Sequence, residues 1–318
     1  MLDINIKALE ELEKAYEEKE NTAGEQKLTV NLEENNHEIA ETHLVDGKAI
    51  VTEPVKPTNQ SKLVKVPARN NTKLMAVLER VNADIELQTM WKCANINAVD
   101  RLGISDHGRV HVQIVANIAL KMLRMLREAG ITSSIVQHHH LTEDDAEVVV
   151  VLAALMHDIG ICVHRDEHEH HSLWLAERKL LEILGGLYDI EQRTIVMAET
   201  LHAIIAHARS QRCLTIEAGV VKVADALDMA KGRSRIPFEA GHLNIHSVSA
   251  AAIQGVELSI GKVRPIHIQI NMGNSAGIYQ IDELLKKKIQ NSTIKDYIEL
   301  VASISAETEE KLIHFYQL

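Results

Sequence analysis

Cysteine is scarce: Cys93, Cys162 and Cys213 are odd in number and far apart in 318 residues. That leaves no disulfide framework and no close-set thiolate pair for a zinc knuckle, and it suits a reducing, cytoplasmic setting. No run reaches the roughly 18 unbroken apolar residues of a membrane span. Met1-Leu-Asp-Ile-Asn lacks the basic start and apolar core of a signal peptide. Positive charge is short as well: 34 Lys and Arg face 45 Asp and Glu, a net −11, so no basic field invites nucleic acid. The deficit is uneven, because residues 1–60 hold fourteen acids against six lysines. No repeat is evident, and proline is absent from Ala68 to Ile236. What is there in quantity is apolar residues, at 46%, and histidine, eighteen in all and concentrated between residues 107 and 207.

The chain reads as three regions. Residues 1–67 form a flexible acidic arm. Within it, 3–20 has Ile6, Leu9, Leu12 and Tyr16 at helical spacing, and Asn21 to Lys65 is polar, with Pro54 and Pro57 and no more than a transient hairpin. Residues 68–236 carry helical periodicity with glycines between the segments. The pattern predicts helices near 72–98, 106–129, 143–158, 168–184, 189–208 and 215–231. Pro237 closes that domain. Residues 237–318 alternate apolar with polar over Leu243–Ser249, Ile253–Ile260 and Ile266–Met272, which predicts three strands. A helix over Ile281–Gln290 and a strand or short helix over Ile294–Ile304 complete a small α+β domain. Such a domain suits a dimerisation or effector role, and an exposed strand edge there would favour a homodimer. The fold expected is mainly α: a helical bundle with a small C-terminal α+β domain and an acidic arm.

The chain is organised around Val148-Val-Val-Val-Leu-Ala-Ala-Leu-Met-His-Asp-Ile-Gly160, an apolar run ending in His157-Asp158. Thr142 stands as N-cap with Asp145 three residues on, so the run is a helix, and Gly160 is placed to stop it. A buried carboxylate without a partner costs several kcal/mol, so Asp158 calls for a cation.

Other candidates lie on neighbouring helices. His111, Val115, Ile118 and Met122 share one inward face, while Arg109, Gln113, Asn117 and Arg124 occupy the other side. His107 is one turn earlier, and geometry alone does not separate it from His111. His164, His168, His170 and His171 crowd eight residues, either as a solvated face or with one of them beside the His-Asp pair. His202 and His207 are offset by about 140° on a helix, so they do not both aim at one point. His207 follows Thr200, Ala203 and Ile204 on its face. Asp225 lies in an Ala/Val-rich helix, where Lys222 is its candidate structural partner. His138-His-His140 reads as a loop without ligand role.

The order His, His-Asp, Asp resembles the HD superfamily of metal-dependent phosphohydrolases. His111-Val-Gln-Ile-Val-Ala is similar to that family's first-histidine motif, which favours His111 over His107. Leu155-Met-His-Asp-Ile-Gly is similar to the naming motif, and Val223-Ala-Asp-Ala-Leu-Asp to the closing aspartate. The added histidines of two-metal members match His168, with small Ser172 four residues on, and His207 at the end of Ile204-Ile-Ala-His. The likeness spans roughly residues 100–236. His207-Ala-Arg-Ser replaces the Gly-Tyr-Pro of the cyclic-di-GMP branch, which argues against that substrate, and no synthetase partner domain of the guanosine tetraphosphate enzymes is present.

The resemblance implies metal ligands His111, His157, Asp158, His168, His207 and Asp225, with Asp158 central to catalysis. Imidazole with carboxylate suits one or two divalent ions of Mn, Fe, Co, Ni or Zn, and an aspartate can bridge two of them. Arg233 and Arg235, just past the closing aspartate, are candidate clamps for substrate phosphate, or else caps of a helix C-terminus. The function expected is hydrolysis of a phosphomonoester or nucleotide by activated water. The alternative is a non-catalytic metal or nucleotide sensor that signals through the C-terminal domain.

Overall fold

A computed structural model describes residues 63–229 and 249–304, together with the strands Thr42–Val45, Lys48–Val51 and Phe315–Gln317. The chain divides into two compact units, residues 1–61 and 62–318. In the first, β1 (Thr42–Val45) pairs antiparallel with β2 (Lys48–Val51), which places the hairpin of the acidic arm. The helix expected over 3–20 lies outside the described residues.

The second unit begins with a break. One helix was expected over 72–98, but α1 (Thr72–Ala83) and α2 (Ile85–Asn95) are separated at Asp84. Its backbone is extended at φ −83° and ψ 94°, its N–H closes α1 on the Val81 carbonyl, and its carboxylate accepts from Leu87 N–H. A short carboxylate that satisfies orphan amides makes Asp a better cap than an interior residue. From α2 the chain passes through a π-turn, Ile96–Arg101, to α3 (Arg109–Glu128).

A short helix, α4 (Ser134–His139), occupies part of the expected loop, and His140 ends it in the left-handed region at φ 57°. The central helix α5 (Glu143–Met156) starts on a capping box: the Asp145 carboxylate accepts from Thr142 N–H at 2.9 Å and from its hydroxyl at 2.7 Å. Every residue from Asp145 to Met156 is buried, as a helix apolar on all sides must be. Around it stand α3, α7 (Ile190–Ala206) and α8 (Ile216–Leu227), while α6 (His168–Leu184) packs on α7. Trp91 of α2 donates its indole N–H to the Leu155 carbonyl at 2.8 Å, near the end of α5.

Two local expectations change. Arg124, placed on the polar side of its helix, is buried and forks onto Glu147 of α5, Nε to Oε1 at 2.7 Å and Nη2 to Oε2 at 2.9 Å. Two hydrogen bonds to one carboxylate offset the desolvation that periodicity cannot anticipate. Gly160 does not stop α5 through a positive φ, and a short 3-10 turn, Ile159–Cys162, comes after His157-Asp158. Its glycine is demanded by proximity: a Cβ there would lie 2.1 Å from the His168 carbonyl oxygen and 2.5 Å from Ser172 N.

The C-terminal residues form a sheet in the order β3-β4-β5-β6, with β3 (Ile253–Ile260) antiparallel to β4 (Ile266–Met272). β5 (Ile298–Ile304) runs parallel to β4 and antiparallel to β6 (Phe315–Gln317). The expected strand over Leu243–Val248 lies outside the described residues, and Ser249 is helical. Between β4 and β5 the chain makes a π-turn over Gln280–Leu285 and then α9 (Lys286–Gln290), so the helix expected over 281–290 has two parts. A 3-10 turn, Lys295–Tyr297, leads into β5. Ile266, Ile268, Ile270 and Met272 pair in register with Ile298, Leu300, Ala302 and Ile304, and all eight are buried in one cluster with the bundle. Among the described residues, no helix is long and apolar enough to cross a membrane.

Candidate metal centre

The end of α5 is where five chain segments meet. His157 caps that helix and Asp158 is the next residue. Ser172 of α6 locks the turn, donating its hydroxyl to the His157 carbonyl at 2.7 Å while accepting from Gly160 N–H at 2.9 Å. Ser172 is fully buried at this contact, which accounts for a small residue four positions after His168.

The donor atoms form three overlapping groups, His111-His157-Asp158, Asp158-His168-His207 and His157-His207-Asp225, with Asp158 facing imidazoles on two sides. His111 Nε2 lies 3.2 Å from Asp158 Oδ2, 3.4 Å from Asp225 Oδ1 and 3.2 Å from His157 Nε2. His157 Nε2 is 3.2 Å from Asp158 Oδ2 and 3.6 Å from Asp225 Oδ1. On the other side, Asp158 Oδ1 is 3.1 Å from His168 Nε2 and 3.7 Å from His207 Nε2, and those two nitrogens are 3.3 Å apart. All six sequence candidates therefore converge. A tetrahedron of ligands at ~2.1 Å from a cation has edges of ~3.4 Å, so the spacing fits coordination.

The far ring nitrogens set the tautomers. His157 Nδ1–H donates to the Ala154 carbonyl at 2.8 Å, and His207 Nδ1–H to the Ile204 carbonyl. His111 Nδ1–H donates to Asp228 Oδ2 at 2.6 Å. Each leaves an Nε2 lone pair directed at the cluster. His168 differs, its Nδ1 lying 3.0 Å from the Arg165 carbonyl oxygen and 2.6 Å from Arg165 Nη1. His111 Nε2 and His157 Nε2 face each other at 3.2 Å, a contact that either a proton on one ring or a cation between them satisfies.

The charges express the same demand. Burial alone would raise Asp158 and lower His157, but each outweighs the other's desolvation: Asp158 is held well below the carboxylate range, and His157 rises to about 9. Burial also raises Asp225, yet Lys288 and the two imidazoles hold it well below that range. His207 goes down instead, through burial and the nearby His157 charge.

Several histidines stay out. His107 lies ahead of α3, its ring centroid 5.4 Å from that of His111, and its Nδ1 pairs with the Ser105 carbonyl at 2.6 Å. His202 Nε2 accepts from Leu214 N–H at 3.0 Å, and burial lowers its pKa. His139 meets Glu199 at 3.2 Å. Among the described residues, none of these joins a group that could hold a metal.

Lys222 is not the partner of Asp225. It is fully buried and donates to the carbonyls of Ala206, Ala208 and Gln211, at 2.9, 2.6 and 2.5 Å, so it holds the turn after His207. Lys288 of α9 takes Asp225 Oδ2 instead. Two residues at the site were not singled out from sequence. Asp228 stands one turn past Asp225 inside the quoted motif, a signal that was there to read; Lys288 carried none. Arg233 and Arg235 lie outside the described residues.

A buried carboxylate set among four imidazoles, on a helical bundle, points to a known class. The chain matches the HD domain over residues 108–230 and belongs to the HD domain family, whose members are generally metal-dependent hydrolases acting on phosphorylated substrates. It is 46% identical over 222 residues to the uncharacterized protein MJ1020 of Methanocaldococcus jannaschii, a span covering 70% of this chain and 86% of that protein. No solved structure matches.

Proposed function

We propose that this chain hydrolyses a phosphomonoester or a nucleotide with the help of two divalent transition-metal ions of the Mn, Fe, Co, Ni or Zn kind. The observation that carries the reading is the orientation of Asp158, each of whose oxygens meets different imidazoles. His111, His157 and Asp158 would hold one cation, with Asp225 joining through its approach to both imidazoles; Asp158, His168 and His207 would hold the other. What such a pair supplies is Lewis acidity toward a phosphoryl oxygen and a lowered pKa for water. The chain supplies the frame. Backbone carbonyls and Asp228 keep imidazoles aimed, burial keeps the dielectric low around the phosphoryl group, and no side-chain nucleophile is needed. Arg233 and Arg235 are proposed as phosphate clamps from their place in the sequence. The three free cysteines accord with a cytoplasmic setting.

The test is elemental analysis of the purified chain, followed by a screen of p-nitrophenyl phosphate, nucleotides and sugar phosphates with Mn²⁺. Bound metal and a hydrolysis that Asp158→Ala abolishes are expected. A second reading, a sensor that relays site occupancy through the C-terminal region, is favoured by the contact of Lys288 with Asp225. Bound metal with every phosphoester left intact would select it and defeat the hydrolase.

A further inference from the structure

Helix α9 carries three consecutive lysines that behave differently. Lys286 pairs with Asp282 at 2.9 Å and Lys287 with Glu283 at 2.5 Å, each one turn back on the same segment. Lys288 turns to the metal centre, where its Nζ donates to Asp225 Oδ2, and its side chain is 16% exposed against 35% and 45% for its neighbours.

The segment after α9 fixes where Lys288 stands. A Cβ on Gly219 of α8 would lie 2.3 Å from Thr293 Oγ1, so that segment rests directly on α8. Thr293 donates its hydroxyl to the Thr215 carbonyl at 2.6 Å, and Cys213 N–H donates to the Asn291 carbonyl at 3.1 Å. Lys288 is therefore held against Asp225 by a docked backbone rather than by the ion pair alone.

The exposure of the site members gives the direction of entry. The His111 and His157 side chains are fully buried, while those of Asp158, His168 and His207 are 3 to 6% exposed. Asp228 is 9% exposed, and Asp225 at 13% and Lys288 at 16% are the most open members among the described residues. An ammonium has three N–H donors, and one of those on Lys288 is engaged.

We propose that Lys288 is a substrate-binding residue: it stays on Asp225 Oδ2 and gives a second N–H to a non-bridging oxygen of the phosphoryl group that enters past it. Through it the C-terminal region contributes directly to recognition of phosphate. The proposal rests on the phosphohydrolase reading above.

Inorganic phosphate titrated calorimetrically into the Mn²⁺-loaded full chain tests it, alongside Mn content and the kinetics of p-nitrophenyl phosphate hydrolysis. Lys288→Gln, which keeps an N–H for Asp225 but no charge, should retain its Mn. It should bind phosphate about tenfold or more weakly and raise KM by a similar factor with a smaller change in kcat, whereas Lys288→Arg stays within about threefold of the parent. Unchanged phosphate affinity in Lys288→Gln overturns the proposal. So does loss of Mn in that variant, which would leave Lys288 as a holder of Asp225 only. A parent chain that takes up no Mn is a separate result, read from elemental analysis: it defeats the metal reading, and this proposal with it.

Discussion

Asp228 accepts the Nδ1 proton of His111 at 2.6 Å, linking the last turn of α8 to the inward face of α3. The bond fixes which nitrogen of His111 faces the cluster and makes that nitrogen more basic. Removing such an outer partner of a metal-binding histidine lowers affinity by about 10–100-fold. Asp228→Ala should weaken Co²⁺ or Mn²⁺ binding within that range in calorimetric titration while leaving the circular dichroism spectrum intact. Unchanged affinity would show that Asp228 does not orient a ligand.

In the proposed arrangement Asp158 serves both cations and each other ligand serves one, so the two halves of the cluster should separate by mutation. His168→Ala or His207→Ala should drop the bound metal from about two ions per chain to about one, and Asp158→Ala should remove both. Elemental analysis after dialysis reads the counts. Two ions retained in His168→Ala would rule out the second half-site.

Gly160 is the point where the turn after α5 touches α6. Gly160→Ala drives a methyl into two backbone atoms, the His168 carbonyl and Ser172 N, neither of which can rotate away. Overpacking of this kind costs about 1–3 kcal/mol or more, so Tm should fall by roughly 5 °C or more, with metal lost because His168 moves with α6. A variant as stable and as metallated as the parent would contradict the packing described.

The buried pair of Arg124 and Glu147 sets part of the acid sensitivity. Burial pushes the Glu147 pKa up, but the Arg124 fork and the Asn71 amide outweigh it, leaving the pKa below its ordinary value. A depressed folded-state value means stability that is present above the unfolded pKa, about 4.3, and is lost as pH falls through the folded one. Tm should thus be flat on this account above about pH 5 and decline below about pH 4.3, and Glu147→Gln, less stable at neutral pH, should decline less steeply. Parallel Tm–pH curves for the two proteins would remove Glu147 from the account.

Much of the local structure was legible in the chain. Thr142 and Asp145 marked the start of α5, and its all-round apolar face marked it as central, because capping and periodicity act within a few residues. The strand Ile266–Met272 alternates buried with half-buried residues throughout for the same reason, whereas Ile253–Ile260 keeps its expected bounds but breaks alternation at an irregularity between Ile253 and Gly255. What went unread locally was competition: Asp84 splits a helix whose apolar period runs on, since its carboxylate does better satisfying a helix end.

The order of histidines and aspartates along apolar helices was determined by the sequence itself, and so was the family it signals. The motif resemblance already favoured His111 over His107 and picked His168 from its cluster; only the tertiary structure decided that these side chains meet His157 and Asp158, and that Asp225 takes Lys288 rather than Lys222. The reason is physical: periodicity says which face of a helix turns inward, but a contact across 63 or 117 residues depends on how helices cross and how closely their backbones approach. Gly160 and Gly219 set that approach, and a glycine in a sequence does not name the atoms it makes room for.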